Sequence, residues 1–505
     1  MTEQPFALRL NETDNILIAL RTVPEGTRLP TGITAREKIP AGHKIALGPI
    51  AAGESVIKYG QIIGTATADI AGGAHVHVQN LGMGAHKQDY GFGTAATALP
   101  PVEDAATFQG YHRPSGRVGT RNYIGILTSV NCAGSVARFI AEEAARDNLL
   151  ADFPNVDGIV PIVHGTGCGM SGKGEGYETL FRTLAGYGHN PNFGAILMVG
   201  LGCEVMQIPD LIDRKALKDS ARFRYMTIQQ QGGTRATVDK GVSILRELAA
   251  EANIAQRQEA SAARLSLGMQ CGGSDGYSGI TANPALGVAS DLLVRHGGTS
   301  ILSETSEIYG AEHLLTRRAS DVPTGRKLID LIEWWEDYTA RNLGEMDNNP
   351  SPGNKRGGLT TILEKSLGAV AKGGAAPLVG VYKYAEPISQ PGFVFMDSPG
   401  YDPCSVTGQV ASGANLIAFT TGRGSVSGYQ PVPSIKIASN PDLWARMECD
   451  MDINCGDILD GVTLEEKGQE IFDLLLRVAS GEETKSEAQG FGAVEFVPWQ
   501  IGAVM

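Results

Sequence analysis

Continuous runs of apolar residues that end in glycine-rich polar loops constrain the fold of this chain more than any other feature. Tyr123–Val130, Gly158–Val163 and Ala195–Leu201 are such runs, and a helix is predicted over Ala133–Asp147 between the first two. Strands that are apolar on both faces and alternate with helices are typical of parallel sheets covered by helices. The sequence therefore predicts an α/β architecture, in which ligands bind beyond the carboxyl ends of the strands.

The same alternation returns after a polar, helix-prone segment that includes a predicted helix over Asp239–Asn253. Further helices are predicted over Arg326–Asn342 and Thr463–Ser480. The apolar runs of this second part are Leu265–Met269, Thr299–Leu302, Leu378–Tyr382, Gly392–Met396, Leu416–Thr420 and Ser434–Ile437. The pattern predicts a second, larger α/β domain with its own parallel sheet.

The first 81 residues have a different sequence pattern, in which glycine and proline separate short apolar runs. This pattern predicts a small all-β domain. A stretch rich in glycine, alanine and proline follows and is the predicted linker. We therefore expect a multidomain chain divided into residues 1–81 (all-β), 82–108 (linker), 109–260 (middle α/β) and 261–505 (C-terminal α/β).

Composition narrows the function classes. The 42 basic and 55 acidic residues give a net charge of −13, which argues against nucleic acid or an anionic membrane as the main partner. A small anionic substrate remains compatible, because local basic residues can line one pocket. We expect no transmembrane helix and no signal peptide. Seven cysteines spread over 505 residues predict reduced thiols in the cytoplasm.

Three cysteines share one sequence context. Cys168, Cys203 and Cys271 each follow an apolar run by a few residues and stand beside glycine. If their strands end at one cleft, the three thiolates could hold iron, zinc or an iron–sulfur cluster and leave a position open for substrate. The alternative is that each is a small buried hydrophobe, which is common for cysteine.

Histidines supply candidates for proton transfer. His75 and His77 alternate in a His-Val-His sequence, so on a strand both imidazoles project from one face. That arrangement suits acid/base catalysis or metal ligation, and a solvated edge strand is the alternative. His164 begins the glycine-rich loop that carries Cys168, and it is a further acid/base candidate.

Polar residues in other glycine-bounded loops are candidates for binding the substrate. Ser274 and Asp275 follow Gly272-Gly273, whose amides could bind an anion. Arg121, Lys355 and Arg423 stand in similar loops and could hold a carboxylate, although an arginine in a loop is usually only solvated. The chain contains neither a P-loop sequence nor a G-x-G-x-x-G sequence with a well-placed acid, so a nucleotide site is not predicted.

These motifs also carry a resemblance. The chain resembles the altronate dehydratase/galactarate dehydratase family of sugar-acid hydro-lyases over nearly its full length. The matching segments are residues 72–77 (GGAHVH), 119–122 (GTRN), 165–169 (GTGCG), 202–204 (GCE), 271–275 (CGGSD), 351–355 (SPGNK) and 421–424 (TGRG). The resemblance implies an N-terminal SAF (β-clip) domain, a middle dimerisation domain and a Rossmann-like C-terminal domain. It also implies dependence on Fe²⁺ or a similar divalent metal, and a homodimer or higher homo-oligomer.

The resemblance further implies dehydration of a hexarate such as galactarate or a hexonate such as altronate. Altronate members have an additional histidine where this chain has Gln79, whereas Met269-Gln270-Cys271 and Arg423 favour the galactarate type. Our hypothesis is that His75, His77 and His164 move protons, that the cysteine trio binds the metal, and that the loop residues bind the sugar acid. The alternatives are a C–S lyase acting on a sulfonated hydroxy acid and a non-catalytic sugar-acid-binding protein.

Overall fold

The computed structural model describes residues 5–29, 31–84, 88–214, 217–218, 220–502 and 504, so parts of the predicted segments 1–81, 82–108, 109–260 and 261–505 lie outside the described residues. Up to residue 84, the regular elements of the described chain are strands, as predicted. They are β1 (Ala7–Leu8), β2 (Ile16–Ala19), β3 (Lys44–Ala46), β4 (Ser55–Lys58), β5 (Gln61–Ala66), β6 (His75–Val76) and β7 (Leu81–Gly82). These strands form two antiparallel sheets, β1-β2-β3-β6 and β4-β5-β7, which we call the N-terminal β region.

The middle region is an α/β layer. Its elements are β8 (Thr107–His112), β9 (Val118–Gly119), β10 (Tyr123–Thr128), α1 (Gly134–Arg146), β11 (Gly158–Ile162), α2 (Glu175–His189), β12 (Phe193–Gly200), α3 (Ile208–Asp213), β13 (Phe223–Thr227), α4 (Thr234–Asn253) and β14 (Arg257–Ser261). Four strands form a parallel sheet in the order β11-β10-β12-β13, which we call the middle sheet. A separate antiparallel sheet, β14-β8-β9, joins the two ends of this region.

The C-terminal region has a larger parallel sheet of seven strands in the order β17-β18-β16-β15-β19-β20-β21, which we call the C-terminal sheet. Its elements are β15 (Ser266–Cys271), α5 (Ala282–Arg295), β16 (Thr299–Leu302), α6 (Glu312–Arg317), α7 (Val322–Arg341), α8 (Pro352–Arg356), α9 (Ile362–Val370), β17 (Leu378–Tyr382), β18 (Gly392–Met396), α10 (Asp402–Ser412), β19 (Leu416–Thr421), β20 (Ser434–Ala438), α11 (Pro441–Arg446), β21 (Ile453–Asn454), α12 (Leu464–Ala479) and α13 (Lys485–Ala488).

The strand order of the C-terminal sheet reverses at β15. The next strands of the chain, β16 to β18, lie on one side of it, and β19 to β21 lie on the other. In open parallel sheets such a reversal opens a crevice at the carboxyl ends of the strands, where ligands bind. Cys271 is the last residue of β15 and therefore lies at this crevice.

Hydrophobic packing joins the three regions. Ile16 and Ile18 of the N-terminal β region share one buried cluster with Leu267 of β15. Leu127 of the middle sheet shares another with Met396 of β18. A third cluster lies within the middle region, between its sheet and the helices α1 and α4. The N-terminal β region is therefore packed onto the C-terminal region.

The predicted linker is not a free tether. After Gly82, which belongs to β7, its described residues before β8 form neither helix nor strand, but they pack along α6. Tyr90 donates a hydrogen bond from its hydroxyl to Glu312 Oε1 at 2.8 Å, and the Ala95 amide donates to the Arg317 carbonyl at 2.7 Å. Residues 85–87 lie outside the described part of this segment. In the portion of the chain that the structure covers, we find no helix with the length and apolar character that crossing a membrane requires.

Candidate active site

Three histidines of the N-terminal β region meet at its contact with the C-terminal region. His43 directly precedes β3, and the antiparallel pairing of β3 with β6 sets Ile45 opposite His75. His77 follows at the alternate position, and its ring stacks on that of His75 with centroids 5.3 Å apart. His43 Nδ1 lies 2.9 Å from His75 Nε2. One ligand atom from each residue lies within 4.8 Å of the others, and we call the three the imidazole group.

The imidazole group is electrically neutral at pH 7. Burial, and then repulsion from His43, lowers the pKa of His75 to about 4, and burial, and then the nearby positive charge of Lys44, lowers that of His77 to about 3. Burial also lowers the pKa of His43. His77 Nδ1 is buried and has no hydrogen-bond partner among the described residues. The group thus offers unprotonated ring nitrogens, one of them unpaired.

The imidazole group touches the loop that contains Lys355. His43 Nε2 lies 3.3 Å from the carbonyl oxygen of Arg356, the last residue of α8. Ser351 and Asn354 form a reciprocal capping box at the start of this short helix, with the Asn354 carboxamide oxygen accepting from the Ser351 amide at 2.9 Å. The cap fixes the turn that brings half-buried Lys355 and exposed Arg356 beside the histidines.

A second group lies at the crevice of the C-terminal sheet. Cys271 ends β15, and Glu304 and Glu307 follow β16. Cys271 Sγ lies 3.6 Å from Glu304 Oε2 and 3.6 Å from Glu307 Oε2, and all three residues are buried. We call these three the acid–thiol group.

Two lysines neutralise the carboxylates of the acid–thiol group. Lys372 Nζ lies 2.9 Å from Glu304 Oε2, and Lys365 Nζ lies 2.7 Å from Glu307 Oε1. Burial raises the pKa of Glu304 to about 8, against the attraction of Lys372. Burial also raises the pKa of the Cys271 thiol, which keeps it protonated.

Asp402 adds a further perturbed carboxyl group to the crevice. Gln270 bridges it to the acid–thiol group, since its side-chain amide lies 2.6 Å from Glu304 Oε1 and 3.4 Å from Asp402 Oδ1. Burial and then repulsion from Glu307 raise the pKa of Asp402 to about 7. Two carboxyl groups with pKa values near neutrality are suited to general acid–base catalysis.

Helix α9 connects the two groups. Its residue Glu364 accepts hydrogen bonds from Lys44 at 2.7 Å and Lys58 at 2.8 Å, and both lysines belong to the N-terminal β region. The next residue, Lys365, makes the ion pair with Glu307. Burial opposes ionisation of Glu364, but the two lysines hold its pKa well below the ordinary value. Two consecutive residues of α9 therefore contact Lys44, which follows His43, and Glu307 of the acid–thiol group.

The predicted substrate residues fall into different environments. Ser274 and Asp275 are buried beside the imidazole group, where Asp275 accepts hydrogen bonds from Ser278, Ser439 and Asn440. Burial raises the pKa of Asp275, against these hydrogen bonds. The Ser274 carbonyl accepts from Asn354 at 2.8 Å. These contacts shape the loop and leave Lys355 and exposed Arg423 as the accessible cations of this set.

Arg121 lies elsewhere, at the junction of the middle and C-terminal regions. Its guanidinium forms a bidentate ion pair with Glu487 at 2.7 and 2.8 Å. Its remaining donors go to the carbonyl oxygens of Thr120, Val478 and Glu482. With all its N–H groups engaged, Arg121 joins two regions, and this contact pattern argues against the predicted role in substrate binding.

His164 is also engaged. Its Nε2 lies 3.0 Å from the Thr128 carbonyl oxygen, and its Nδ1 accepts from the Thr166 amide at 3.3 Å. Burial lowers the pKa of His164 to about 4, against the hydrogen bond to Thr128. These bonds hold a loop onto the end of β10 in the middle region, whereas the acid–thiol group belongs to the C-terminal region.

The structure separates the predicted cysteine trio. Cys271 is buried at the C-terminal sheet, whereas Cys168 and Cys203 are exposed in loops that follow β11 and β12 of the middle sheet. These three cysteines, all of them described, do not lie within 4.8 Å of one another. The two sheets have their own edges, so strand-end cysteines of different regions do not meet.

Sequence reasoning missed several residues of the site. His43 stands in a Pro-Ala-Gly-His turn that the sequence presents only as a tight turn. Glu304, Glu307 and Asp402 follow the apolar runs of β16 and β18, so the rule that ligands bind at carboxyl ends of strands could have identified them. Lys365 and Lys372 belong to a helix and its end, and the sequence carries no signal that they turn towards the crevice.

Of the two groups, the imidazole group fits a divalent transition metal better. Neutral imidazoles are suitable ligands for iron, zinc and similar ions, and the unpaired His77 Nδ1 is an orphaned buried acceptor that an ion would satisfy. In the acid–thiol group, lysine ammonium groups already occupy the carboxylates and the thiol stays protonated. A cation there would have to displace them.

Comparison with known families covers almost the whole chain. Residues 5–84 match the altronate/galactarate dehydratase SAF domain. Residues 110–253 match the second domain of D-galactarate dehydratase/altronate hydrolase, and residues 262–504 match the C-terminal domain of D-galactarate/altronate dehydratase. The imidazole group therefore lies in the segment that matches the SAF domain, and the acid–thiol group lies in the segment that matches the C-terminal domain.

Individual relatives agree with the family models. Galactarate dehydratase (L-threo-forming) of Escherichia coli (strain K12) is 39% identical over 495 residues, covering 95% of this chain and 94% of the relative. Altronate dehydratase of the same organism is 35% identical over 489 residues, covering 96% and 97%. The (2R)-sulfolactate sulfo-lyase subunit beta of Chromohalobacter salexigens is 32% identical over 390 residues, covering 76% of this chain and 95% of the relative. The domain matches, and full-length identity of this size, show that the chain belongs to the galactarate/altronate dehydratase family.

Proposed function

We propose that this protein is a hydro-lyase that removes water from a sugar acid carrying hydroxyl groups at C2 and C3. The substrate is a hexarate such as galactarate or a hexonate such as altronate, and the product is a 2-keto-3-deoxy acid. The observation that carries the proposal is that neighbouring residues of α9 contact both surroundings: Glu364 pairs with Lys44, which follows His43, and Lys365 pairs with Glu307 of the acid–thiol group.

The reaction needs a base, an acid and stabilisation of negative charge. A base takes the weakly acidic C2 proton, and the electron pair of that bond forms the C2–C3 double bond. The C3 hydroxyl leaves as water once an acid has protonated it, and the resulting enol becomes the 2-keto acid. Charge that develops on the substrate carboxylate must be stabilised by fixed positive groups.

Perturbed carboxyl groups of the crevice are assigned the proton transfers. Asp402, with a pKa of about 7, is ionised in a large fraction of molecules at neutral pH and acts as the base. Glu304, with a pKa of about 8, holds a proton there and acts as the acid. Lys365 stays positively charged, because Glu307 holds its pKa above the ordinary value despite burial, and we assign Lys365 and Lys372 the stabilisation of the developing carboxylate charge.

The imidazole group is assigned a divalent metal, with Fe²⁺ as the first candidate. His75 and His77 are poor bases at their lowered pKa values, so we assign them ligation rather than proton transfer. A divalent metal held by His43, His75 and His77 would supply Lewis-acid stabilisation of negative charge on the substrate. His43 completes the set from the turn before β3.

Positive charge around the imidazole group favours an anionic substrate. Lys44, Lys58 and Glu364 form a buried triad with one excess positive charge. Lys355 and Arg423 stand at the accessible rim and are assigned the carboxylate, while Ser274 and Asp275 hold the loop between them in place. The Arg423 amide donates to the Gly273 carbonyl at 2.9 Å, which ties the rim to this loop.

A substrate panel tests the function. Purified protein is incubated with galactarate, altronate and their epimers under reducing conditions with ferrous iron, and keto-acid formation is measured. We expect turnover of at least one substrate, its loss with a strong chelator, and its recovery with ferrous iron. The variant His77→Ala should lose turnover, whereas His112→Ala, which changes an exposed histidine of β8, should retain it. Full activity of metal-free protein would contradict the metal assignment.

A C–S lyase is the second candidate, because a sulfo-lyase subunit aligns with 76% of this chain. The chemistry would differ only in the leaving group, which would be sulfite in place of water. Incubation with a sulfonated hydroxy acid distinguishes the two, since sulfite release without keto-acid formation from any sugar acid would favour the lyase.

The proposal also covers the fold of the C-terminal region, the domain limits, the cellular location and the oligomeric state. We propose that the C-terminal region is a Rossmann-like α/β domain, that the domains divide near residues 81, 108 and 260, and that the protein works in the cytoplasm as a homodimer or higher homo-oligomer. Analytical ultracentrifugation of the purified chain tests the oligomeric state.

A further inference from the structure

A second cluster of cysteines lies outside the proposed active site, at the carboxyl edge of the middle sheet. Cys132, Cys168 and Cys203 follow β10, β11 and β12, which are three adjacent strands in the order β11-β10-β12. All three are exposed and free. Free cysteines are usually buried, so three exposed thiols at one sheet edge are unusual for a purely structural role.

Hydrogen bonds tie the three cysteine loops together. His164, at the start of the loop after β11, bonds to the Thr128 carbonyl at the end of β10. The Met206 amide, in the loop after β12, donates to the Gly167 carbonyl at 3.0 Å, and the Asn131 amide donates to the Thr166 carbonyl at 2.9 Å. Each loop is therefore bonded to the other two or to the strand end between them.

Gly167 brings Cys168 over the end of β10. It has a positive φ of +98°, and a Cβ at this position would collide with the Ser129 carbonyl oxygen. Only glycine allows this close approach, which sets the neighbouring Cys168 above the turn that contains Cys132. On the other side, buried Glu204 accepts from Ser129 Oγ and from the Gly202 amide, both at 2.6 Å, and fixes the turn around Cys203.

The surroundings suit a bound group that carries negative charge and sulfur. Cys132 lies in the turn directly before α1, at the positive end of the helix dipole. The Gln229 side-chain amide donates to Cys203 Sγ at 3.4 Å, and hydrogen bonds of this kind stabilise metal-bound thiolates. These two observations are independent of the spacing of the three cysteines.

Three cysteines stand on loops that are bonded to one another at the ends of three adjacent strands. Thiolates are the ligands of iron–sulfur clusters, and three of them leave one iron of a [4Fe–4S] cluster without a protein ligand. We propose that Cys132, Cys168 and Cys203 bind a [4Fe–4S] cluster through three thiolates and leave its fourth iron with an exogenous ligand. The cluster is held at an open surface, separate from the proposed active site.

Binding needs no electron transfer. A preformed cluster that carries small thiolate ligands exchanges three of them for the three cysteine sulfurs. Each cysteine thiol loses its proton to a departing thiolate as its sulfur bonds to iron. The protein thereby gains one cluster and releases three small thiols.

Anaerobic titration with a preformed [4Fe–4S] cluster ligated by a small thiol tests the proposal. After desalting, we expect about four iron and four sulfide per chain and, once dithionite has been added as the one-electron reductant, the low-temperature electron paramagnetic resonance signal of a reduced cluster. Cys132→Ser, Cys168→Ser and Cys203→Ser should each lose the retained sulfide, whereas Cys449→Ser, which changes an exposed cysteine elsewhere, should keep it. Circular dichroism confirms that each variant is folded.

Three outcomes would overturn the proposal: no retained sulfide in the folded wild-type chain, unchanged retention in the triple serine variant, or stoichiometric zinc that excludes the cluster. The readout is independent of turnover. Loss of the cluster with intact dehydration, or the reverse, therefore separates a failure of this proposal from a failure of the proposed function.

Discussion

The carboxyl edges of the two parallel sheets occupy the same topological position but differ in what covers them. At the C-terminal sheet, the N-terminal β region packs beside the crevice, and Cys271 is buried among carboxylates and lysines. At the middle sheet, Cys132, Cys168 and Cys203 remain exposed. In both places a cysteine follows an apolar strand, and at the covered edge burial raises the pKa values of Glu304 and Asp402 strongly. The difference shows that the strand-end motif alone does not set the chemistry of an edge, because burial and the charged neighbours of Glu304 and Asp402 shift their pKa values.

The largest expected effect is on catalysis at the covered edge. Glu304→Gln removes the proposed acid but keeps the size of the side chain, and we expect kcat to fall by about 10²–10⁴-fold. The control is Glu259→Gln, which changes an exposed glutamate of β14. Steady-state kinetics on the turned-over sugar acid measures both. An unchanged kcat for Glu304→Gln would contradict the proposed role of the acid–thiol group in catalysis.

The next largest effect is expected on the free energy of unfolding, at the buried triad of Lys44, Lys58 and Glu364 that joins the N-terminal β region to α9. Glu364→Ala leaves Lys44 and Lys58 buried without their carboxylate, and we expect the free energy of unfolding to fall by about 3–5 kcal/mol. Urea denaturation measures this change. Glu178→Ala, which removes an exposed ion pair with Arg214, should cost at most about 1 kcal/mol. Equal costs for the two variants would mean that the triad does not anchor the β region.

The carboxyl groups of the covered edge should also determine how kcat/KM depends on pH. The rate kcat/KM should rise through about pH 7 as Asp402 loses its proton and fall above about pH 8 as Glu304 loses its proton. Both pKa values are raised on folding, so the folded state binds more protons than the unfolded state. Their stabilising contribution is present at acidic pH and is lost as the pH rises towards 8. A flat profile across neutral pH would contradict these roles, and Asp402→Asn should abolish the acidic limb.

The smallest expected effect compares one cysteine from each edge. Cys271→Ala empties a buried position and should destabilise the folded protein by about 1–3 kcal/mol. Cys168→Ala changes an exposed side chain and should stay within about 0.5 kcal/mol in metal-free protein. Thermal unfolding after chelator treatment measures both. A large loss for Cys168→Ala would show that the open edge is more closely packed than its exposure indicates.

Local sequence pattern predicted most of the regular elements. The apolar runs Thr299–Leu302, Leu378–Tyr382 and Gly392–Met396 are β16, β17 and β18 with the predicted limits. The helix predicted over Asp239–Asn253 is real but begins earlier, at Thr234. The edge strand β13 and the two-residue β21 were missed, because neither has a continuous apolar run.

For the candidate site, the sequence identified His75, His77 and Cys271 but grouped them with His164, Cys168 and Cys203, which the structure places in the middle region. Such grouping requires knowing which strands share a sheet, and strand-end motifs look alike in both. His43 and Lys365 were missed because a turn histidine and a helical lysine resemble surface residues until a partner region buries them.

The sequence alone determined the alternation of strands and helices and the positions of chemically active residues at strand ends, because periodicity and glycine act over a few neighbouring residues. The tertiary structure alone decided that His43 joins His75 and His77, that Glu364 and Lys365 connect two groups, and that Cys271 parts from Cys168 and Cys203. Those outcomes depend on which surfaces are buried against each other, and burial sets both the distances and the pKa values on which the chemistry depends.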